Sequence, residues 1–210
     1  MARFSVELHD FFFSEERSDR ITLLDILELA GERTFGFLLV LLSLPSALPI
    51  PAPGYSIPFG IVLFLLALQL ILGRVEPWFP QWFRNRSIAL SQAQAIIKAA
   101  TPWLKRLESF SRPRMTYLCT SRAGRVILGC AIALMGISMM IPLPLTNTLP
   151  AIGVFVIGFS LIEDDGFISI VGLTISVLAA SLSTALITAY IIGGTTLVDA
   201  VIDRIRDLKP

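Results

Sequence analysis

The chain has 210 residues, 54% hydrophobic and 16% charged, with a formal net charge of +1 and a mean hydropathy of +0.75. Soluble domains carry about a quarter charged residues, and a soluble core does not absorb uncharged runs such as 34–73, 126–162 and 166–198. The composition excludes an ordinary soluble domain and defines an integral membrane protein.

Charge is unevenly distributed. Residues 1–34 hold eight acids and four bases, whereas 74–125 hold ten Lys and Arg against Glu76 and Glu108. The middle segment is short enough for the positive-inside rule, which places it on the cytoplasmic side. Its bases lie between membrane segments and beside aromatic interface residues, so nucleic acid is not the expected partner. Met1–Arg17 is mixed and acidic, without the basic start and apolar centre of a cleavable signal peptide. His9 is the single histidine, and it reads as a surface residue. Cys119 and Cys130 follow no metal or redox spacing and read as free, small apolar residues.

Ser18–Glu32 has the pattern of an amphipathic helix. Thr22 and Asp25 fit a capping box, and Asp25, Glu28 and Glu32 lie opposite Ile21, Leu24 and Leu27. The first apolar arm follows from Thr34 to Leu48. Leu-Pro-Ser-Ala-Leu-Pro-Ile-Pro-Ala-Pro-Gly at 44–54 breaks it, and a second arm runs from Tyr55 to Leu72. Gly73 to Arg84, with Trp78, Phe79 and Trp82 among prolines and arginines, reads as an exit into the headgroup layer. From Ser87 to about Ser111 the pattern is helical but too polar to cross alone, which predicts an interfacial segment within a basic connector over 74–122.

The second broken run repeats the first. Arms at 126–141 and 148–162 flank Ile-Pro-Leu-Pro-Leu-Thr-Asn at 141–147. Sliding 30–73 onto 123–166 at a constant offset of 93 superposes Gly31, Gly36, Pro49, Pro51, Gly60 and Gly73 on Gly124, Gly129, Pro142, Pro144, Gly153 and Gly166. About one such coincidence is expected by chance, so the pattern reads as an internal repeat. Gly54 falls opposite Asn147, and both residue types tolerate positive φ, the conformation expected at the two tips.

At 1.5 Å per residue all four arms fall short of a hydrocarbon core of about 30 Å. Re-entrant hairpins explain four short arms better than four full crossings, and tight structural hairpins are the alternative. Phe167–Ile192 reads as one tilted transmembrane helix with small residues at packing intervals, and 197–210 as a separate short helix. The fold class is thus an all-α integral membrane protein. Two repeated, proline-broken helical hairpins are joined by interfacial helices and followed by a C-terminal transmembrane helix.

Gly31-Glu-Arg33, Leu48 to Ser56, Gln69 to Arg74, Pro77-Trp-Phe-Pro80, Arg112-Pro-Arg114, Pro142 to Asn147 and Asp165-Gly166 together resemble the ExoD family of exopolysaccharide-synthesis membrane proteins. The resemblance covers nearly the whole chain. It implies a multi-pass protein of the bacterial inner membrane tied to exopolysaccharide production. The paired Pro-x-Pro tips are similar in architecture to DedA-type lipid-transporting proteins, although neither tip holds the carboxylate of a proton-coupled site.

Candidate pathway residues follow from depth and chemistry. Broken helices free backbone groups for a substrate, which selects Pro49, Pro51, Gly54, Pro142, Pro144 and Asn147. Gln69 joins them as a polar residue within an apolar arm. Glu32 and Arg33 stand at the mouth of the first unit and Glu163, Asp164 and Asp165 at the exit of the second, where a solvated helix end is the plainer reading. No nucleophile–base pair, metal cluster or cofactor fingerprint is present in the sequence. Three functions remain open: a carrier of a lipid-linked saccharide or phospholipid, a non-catalytic partner of a polysaccharide assembly machine, and a membrane enzyme acting on a lipid-linked intermediate. Homo-oligomerisation is compatible with each.

Overall fold

The computed structural model describes residues 20–22, 31–47, 56–80, 87–89, 114–141 and 147–206, with the single residues 13 and 94. Apart from one short ribbon the described residues are helical or in turns. A 3₁₀ turn at Gly31–Arg33 leads into α1 (Thr34–Ala47), followed by α2 (Ser56–Ile71), α3 (Tyr117–Thr120), α4 (Arg122–Met140), α5 (Thr148–Glu163) and α6 (Gly166–Arg206). The arms read from the sequence are helices, with ends shifted by at most one residue except at the start of α4. There Ser121 accepts a hydrogen bond from the Gly124 N–H at 3.1 Å and caps the helix four residues before the uncharged run begins.

Two expectations need correction. Residues 20–22 are not helical: Arg20–Thr22 (β1) pairs antiparallel with Ser87–Ala89 (β2), with Ile21 opposite Ile88. The β-branched Ile21, Thr22 and Ile88 favour extended backbone, which overrides the helical pattern expected for 18–32 and for the segment from Ser87. The remainder of both segments, apart from the 3₁₀ turn and Gln94, lies outside the described residues. Asn147 also differs from expectation. Its φ is −87°, in the right-handed region, where it directly precedes α5. Gly54 lies outside the described residues. Positive φ occurs instead at Gly31, Gly73, Met115 and Asp164.

The helices pack as crossed pairs. α1 lies on α5 and α2 on α4, while α6 covers α5 and, less extensively, α4. Glycines set the close approaches. A Cβ on Gly36 would stand 2.6 Å from the Gly158 carbonyl oxygen and 2.9 Å from Ile162 Cγ1. On the other pair, a Cβ on Gly129 would stand 2.6 Å from Ile71 Cγ1 and 3.2 Å from the Ala67 carbonyl oxygen. Gly60 and Gly136 approach each other in the same way, 2.8 Å and 3.0 Å from one another's carbonyl oxygens. Between these helices lie Phe35, Leu39, Leu63, Leu66, Ile132, Met135 and Val154, all buried.

These contacts fix direction. Gly36 begins α1 beside the end of α5, and Gly60 begins α2 beside the end of α4. Both pairs are therefore antiparallel. The α1–α2 and α4–α5 connections leave the same end of the bundle, and the outer ends of both hairpins meet at the other. α6 starts at that outer end, since Gly153 on α5 meets Ser176 and Ile157 meets Gly172. It reaches the connection end at Ser183, whose hydroxyl lies 2.8 Å from that of Ser138.

Among the glycine pairs matched at offset 93, Gly36 and Gly129 make like contacts. Gly60 faces α4 whereas Gly153 faces α6, and a Cβ on Gly124 would meet the Leu118 carbonyl while one on Gly31 meets nothing. Gly73 has φ +79°, whereas Gly166 opens α6. Like contacts on the second arms fall at an offset of 91: Ala67 and Gly158, Ile71 and Ile162. The two arms of each hairpin are thus in different register with their counterparts.

The last helix is longer than expected. Nothing interrupts α6 between 192 and 197, because Gly193 and Gly194 weaken a helix without breaking it. Its 41 residues rise about 62 Å. Among the described residues two segments are long and apolar enough to cross a membrane, Arg122–Met140 and Gly166–Ala189, whereas α1, α2 and α5 are shorter apolar helices.

Candidate functional site

Among residues 31–189, the charged side chains that the structure describes stand at the outer end of the bundle. At the outer end α2 and α5 finish in the same device. Gly73 (φ +79°) and Asp164 (φ +51°) adopt the left-handed conformation, and the next N–H reaches back five residues, Arg74 to the Gln69 carbonyl and Asp165 to the Ser160 carbonyl, each at 3.1 Å. This is the Schellman closure, which satisfies carbonyls left free at a helix end. Asp165, 3% exposed, then caps α6 by accepting from the N–H groups of Phe167 at 3.0 Å and Ile168 at 3.4 Å. The turn from α5 to α6 is held further by the Gly166 N–H donating to the Arg114 carbonyl at 2.7 Å.

The candidates therefore divide. Arg33, Gln69, Glu163, Asp164 and Asp165 all belong to the outer end, and Glu32 lies in the 3₁₀ turn there. Gln69 faces neither connection: its side-chain carbonyl accepts from the Trp78 N–H and its amide donates to the Trp78 carbonyl at 3.4 Å, fastening the chain that leaves α2. Asn147 sits at the connection end. Pro49, Pro51, Gly54, Pro142 and Pro144 lie outside the described residues. Among the described residues no three His, Cys, Asp or Glu side chains are grouped as metal ligands.

Arg122 and Arg125 stand in the first turn of α4, where the helix dipole disfavours cations and attracts anions. The Arg125 Nε is buried and has no hydrogen-bond partner. A guanidinium so placed offers a directed donor to an anionic group. Next to it in sequence, α3 carries Cys119, whose Sγ lies 3.2 Å from the Ser169 hydroxyl, itself 2.7 Å from that of Ser160. Burial pushes the Cys119 thiol up, aided by the charges of Asp164 and Asp165 and opposed by hydrogen bonds with Ser169 and Ser160. The thiol is therefore a poor nucleophile, and the cluster pins α3, α5 and α6 together. Sequence reasoning missed it because these residues are scattered over 51 positions.

At the connection end the polar groups are uncharged. Ser43 donates to the Val40 carbonyl at 3.2 Å. Ser46, near the end of α1, and Ser56, the first residue of α2, are each 1% exposed, and their hydroxyls have no hydrogen-bond partner. On the side of the bundle, α4 and α6 form an apolar groove of about 550 Å³ lined by Ala131, Leu134, Leu173, Val177 and Ala180.

Two candidate spans among the described residues and an apolar helical bundle define a membrane-associated helical protein. The model of the family described as "Exopolysaccharide synthesis, ExoD" matches residues 4–185. The chain belongs to the ExoD family. It is 50% identical over 206 residues to an uncharacterised protein of Synechocystis sp., covering 98% of this chain and 97% of that relative. It is 32% identical over 153 residues to Protein ExoD of Rhizobium meliloti, covering 71% of this chain and 63% of that relative. No solved structure matches.

Proposed function

We propose that this chain acts in exopolysaccharide synthesis as a multi-pass protein of the bacterial inner membrane that carries a lipid-linked saccharide or phospholipid between leaflets. The observation behind this reading is the placement of polar groups: charged side chains, with the unpartnered Arg125 Nε among them, stand at the outer end, and the unpartnered hydroxyls of Ser46 and Ser56 stand at the connection end. Helices of 14 and 16 residues rise only about 21 and 24 Å, so the first connection stops at membrane depth in a core of about 30 Å. The re-entrant arrangement belongs to this proposal. So does duplication of the hairpin about a two-fold axis parallel to the helices, which draws support from the matched contacts of Gly36 and Gly129 and the matched helix ends at Gly73 and Asp164.

In this scheme Arg33 and Arg125 receive the anionic part of the headgroup on the cytoplasmic side, and the apolar groove between α4 and α6 accommodates an acyl chain. Prolines 49, 51, 142 and 144 hold the connections open by denying them backbone N–H donors. Reconstitution into liposomes containing labelled lipid-linked saccharide tests it. The wild type transfers label across the bilayer, whereas Pro51→Ala combined with Pro144→Ala inserts normally and transfers little. Full transfer by the double variant overturns the role of the connections, and no transfer by the wild type overturns the carrier.

One observation favours a partner of a polysaccharide assembly machine. α6 rises about twice the thickness of the hydrocarbon core, leaving its end, from Asp199 on, to project beyond the uncharged run 166–198. Co-purification of a synthase subunit that is lost on truncation after Val198 supports that role.

A further inference from the structure

We infer that the outer end of the bundle is an interfacial anchor that binds acidic phospholipid headgroups through Arg74, Arg114 and Arg122, with Trp78 and Tyr117 set in the same layer. This rests on the multi-pass membrane reading and not on lipid transfer. The charged residues at this end divide by exposure. Arg74, Arg114 and Arg122 are exposed, and among the described residues there Glu76 is the one exposed acid. Glu163 and Asp164 are half-buried, and Asp165 is buried as the cap of α6. The charge turned outward is therefore mainly positive. Arg33 and Arg125 are half-buried and stay outside the anchor.

Large apolar side chains are turned outward beside these arginines in sequence. Leu72 is 73% exposed, Val75 56%, Trp78 61%, Met115 45% and Tyr117 58%. They fall in two short stretches, 72–78 and 114–117, and each is tied to the end of the bundle. Gln69 holds both backbone groups of Trp78, which brings this residue back beside the last turn of α2. The Arg114 carbonyl accepts from the Gly166 N–H at the start of α6, and the Leu118 carbonyl lies against Gly124 at the start of α4. Both candidate spans, α4 and α6, begin at this end, so the outward side chains stand where the spans enter the membrane.

Two surroundings are unfavourable for this set. In water the apolar side chains forgo burial, and in hydrocarbon the three guanidinium groups are costly. The headgroup layer suits both. Indole and phenol rings favour the boundary of the hydrocarbon, and guanidinium groups pair with phosphate oxygens. The surplus of exposed cations selects acidic headgroups over zwitterionic ones, which carry a cation of their own.

The test uses the full chain with Trp82→Phe and Trp103→Phe, so that Trp78 alone of the three tryptophans reports. In vesicles, quenching of Trp78 should give a binding constant about fivefold higher for dibrominated phosphatidylglycerol than for dibrominated phosphatidylcholine, and added salt should reduce the preference. Equal constants overturn the acidic site. Quenching by aqueous acrylamide and by neither lipid assigns the surface to a soluble partner and overturns the anchor altogether. Arg74→Gln, Arg114→Gln and Arg122→Gln combined should bring the preference close to unity while dibrominated phosphatidylcholine still quenches. A preference kept in full overturns the role of the arginines. If the combined variant does not insert, each single variant should lower the preference about twofold, and no change in any of the three overturns the assignment. The readout is lipid contact at Trp78 and involves no transfer, so failure of the carrier leaves the anchor standing.

Discussion

Gly36 on α1 approaches Gly158 on α5 so closely that a Cβ on either would crowd the other helix: 2.6 Å from the Gly158 oxygen in one direction, 3.1 Å from the Gly36 oxygen in the other. Lipid tails are as apolar as leucine, so helices in a membrane associate through such close packing rather than through burial from water. The neighbour on both sides is backbone, which cannot rotate out of the way. Gly36→Leu should therefore destabilise the fold by about 1–3 kcal/mol, the usual range for overpacking, seen as a lower Tm in detergent. A Cβ on Gly31 meets nothing, so Gly31→Ala should show only the smaller strain of its positive φ.

Direction through the membrane gives a second prediction. α6 begins with the outer ends of both hairpins and passes the connection end at Ser183, so its last turns emerge on the opposite side from the basic connector. With that connector cytoplasmic, a cysteine at Asp203 in a Cys119→Ser, Cys130→Ser background should react with an impermeant thiol reagent from outside the cell. A cysteine at Ser109 should require a permeant one. Labelling of both positions from the same side contradicts the arrangement.

Much of this architecture is legible along the chain, and the misses share a physical origin. Uncharged runs interrupted by proline mark α1, α2, α4 and α5 because both signals are local. The ribbon between 20–22 and 87–89 depends on partners 67 residues apart, which a local helical period conceals. The full start of α4 was obscured by Arg122 and Arg125, which look like a boundary until the Ser121 cap is seen. An ungapped offset matched the prolines and the first arms but not the second, since the helices beyond the connections follow a different register. Of the candidate site, Asp164 and Asp165 were legible as a helix end. The unpartnered state of Ser46 and Ser56 was not, because a hydroxyl's partner is set by packing.

The Cys119 thiol supplies a pH dependence. Burial raises its pKa above the ordinary value of 9.0, so the folded chain keeps its proton when the unfolded chain has begun to lose it. Stability from this group is intact below 9.0 and declines as pH rises from there towards the folded pKa. Thermal melts between about pH 7 and about pH 10 should show a Tm falling at the alkaline end. Cys119→Ser should remove that part of the slope while keeping a hydroxyl for Ser169. An unchanged slope in the variant assigns it to other groups.

Asp165 separates structure from transport. Its carboxylate accepts from two N–H groups at the start of α6, while its own N–H closes the end of α5, so one residue joins the two helices. Loss of an N-cap side chain costs about 1 kcal/mol. Asp165→Ala should therefore lower Tm, whereas Asp165→Asn retains an accepting oxygen and should melt close to wild type. If the carboxylate serves only as a cap, Asp165→Asn will also transfer labelled lipid at the wild-type rate in liposomes. A variant that melts normally but transfers at least tenfold more slowly, about 1.4 kcal/mol in barrier height, would give Asp165 a charge-dependent role in the pathway. The capping account predicts that melting and transfer fall together in Asp165→Ala and are both preserved in Asp165→Asn.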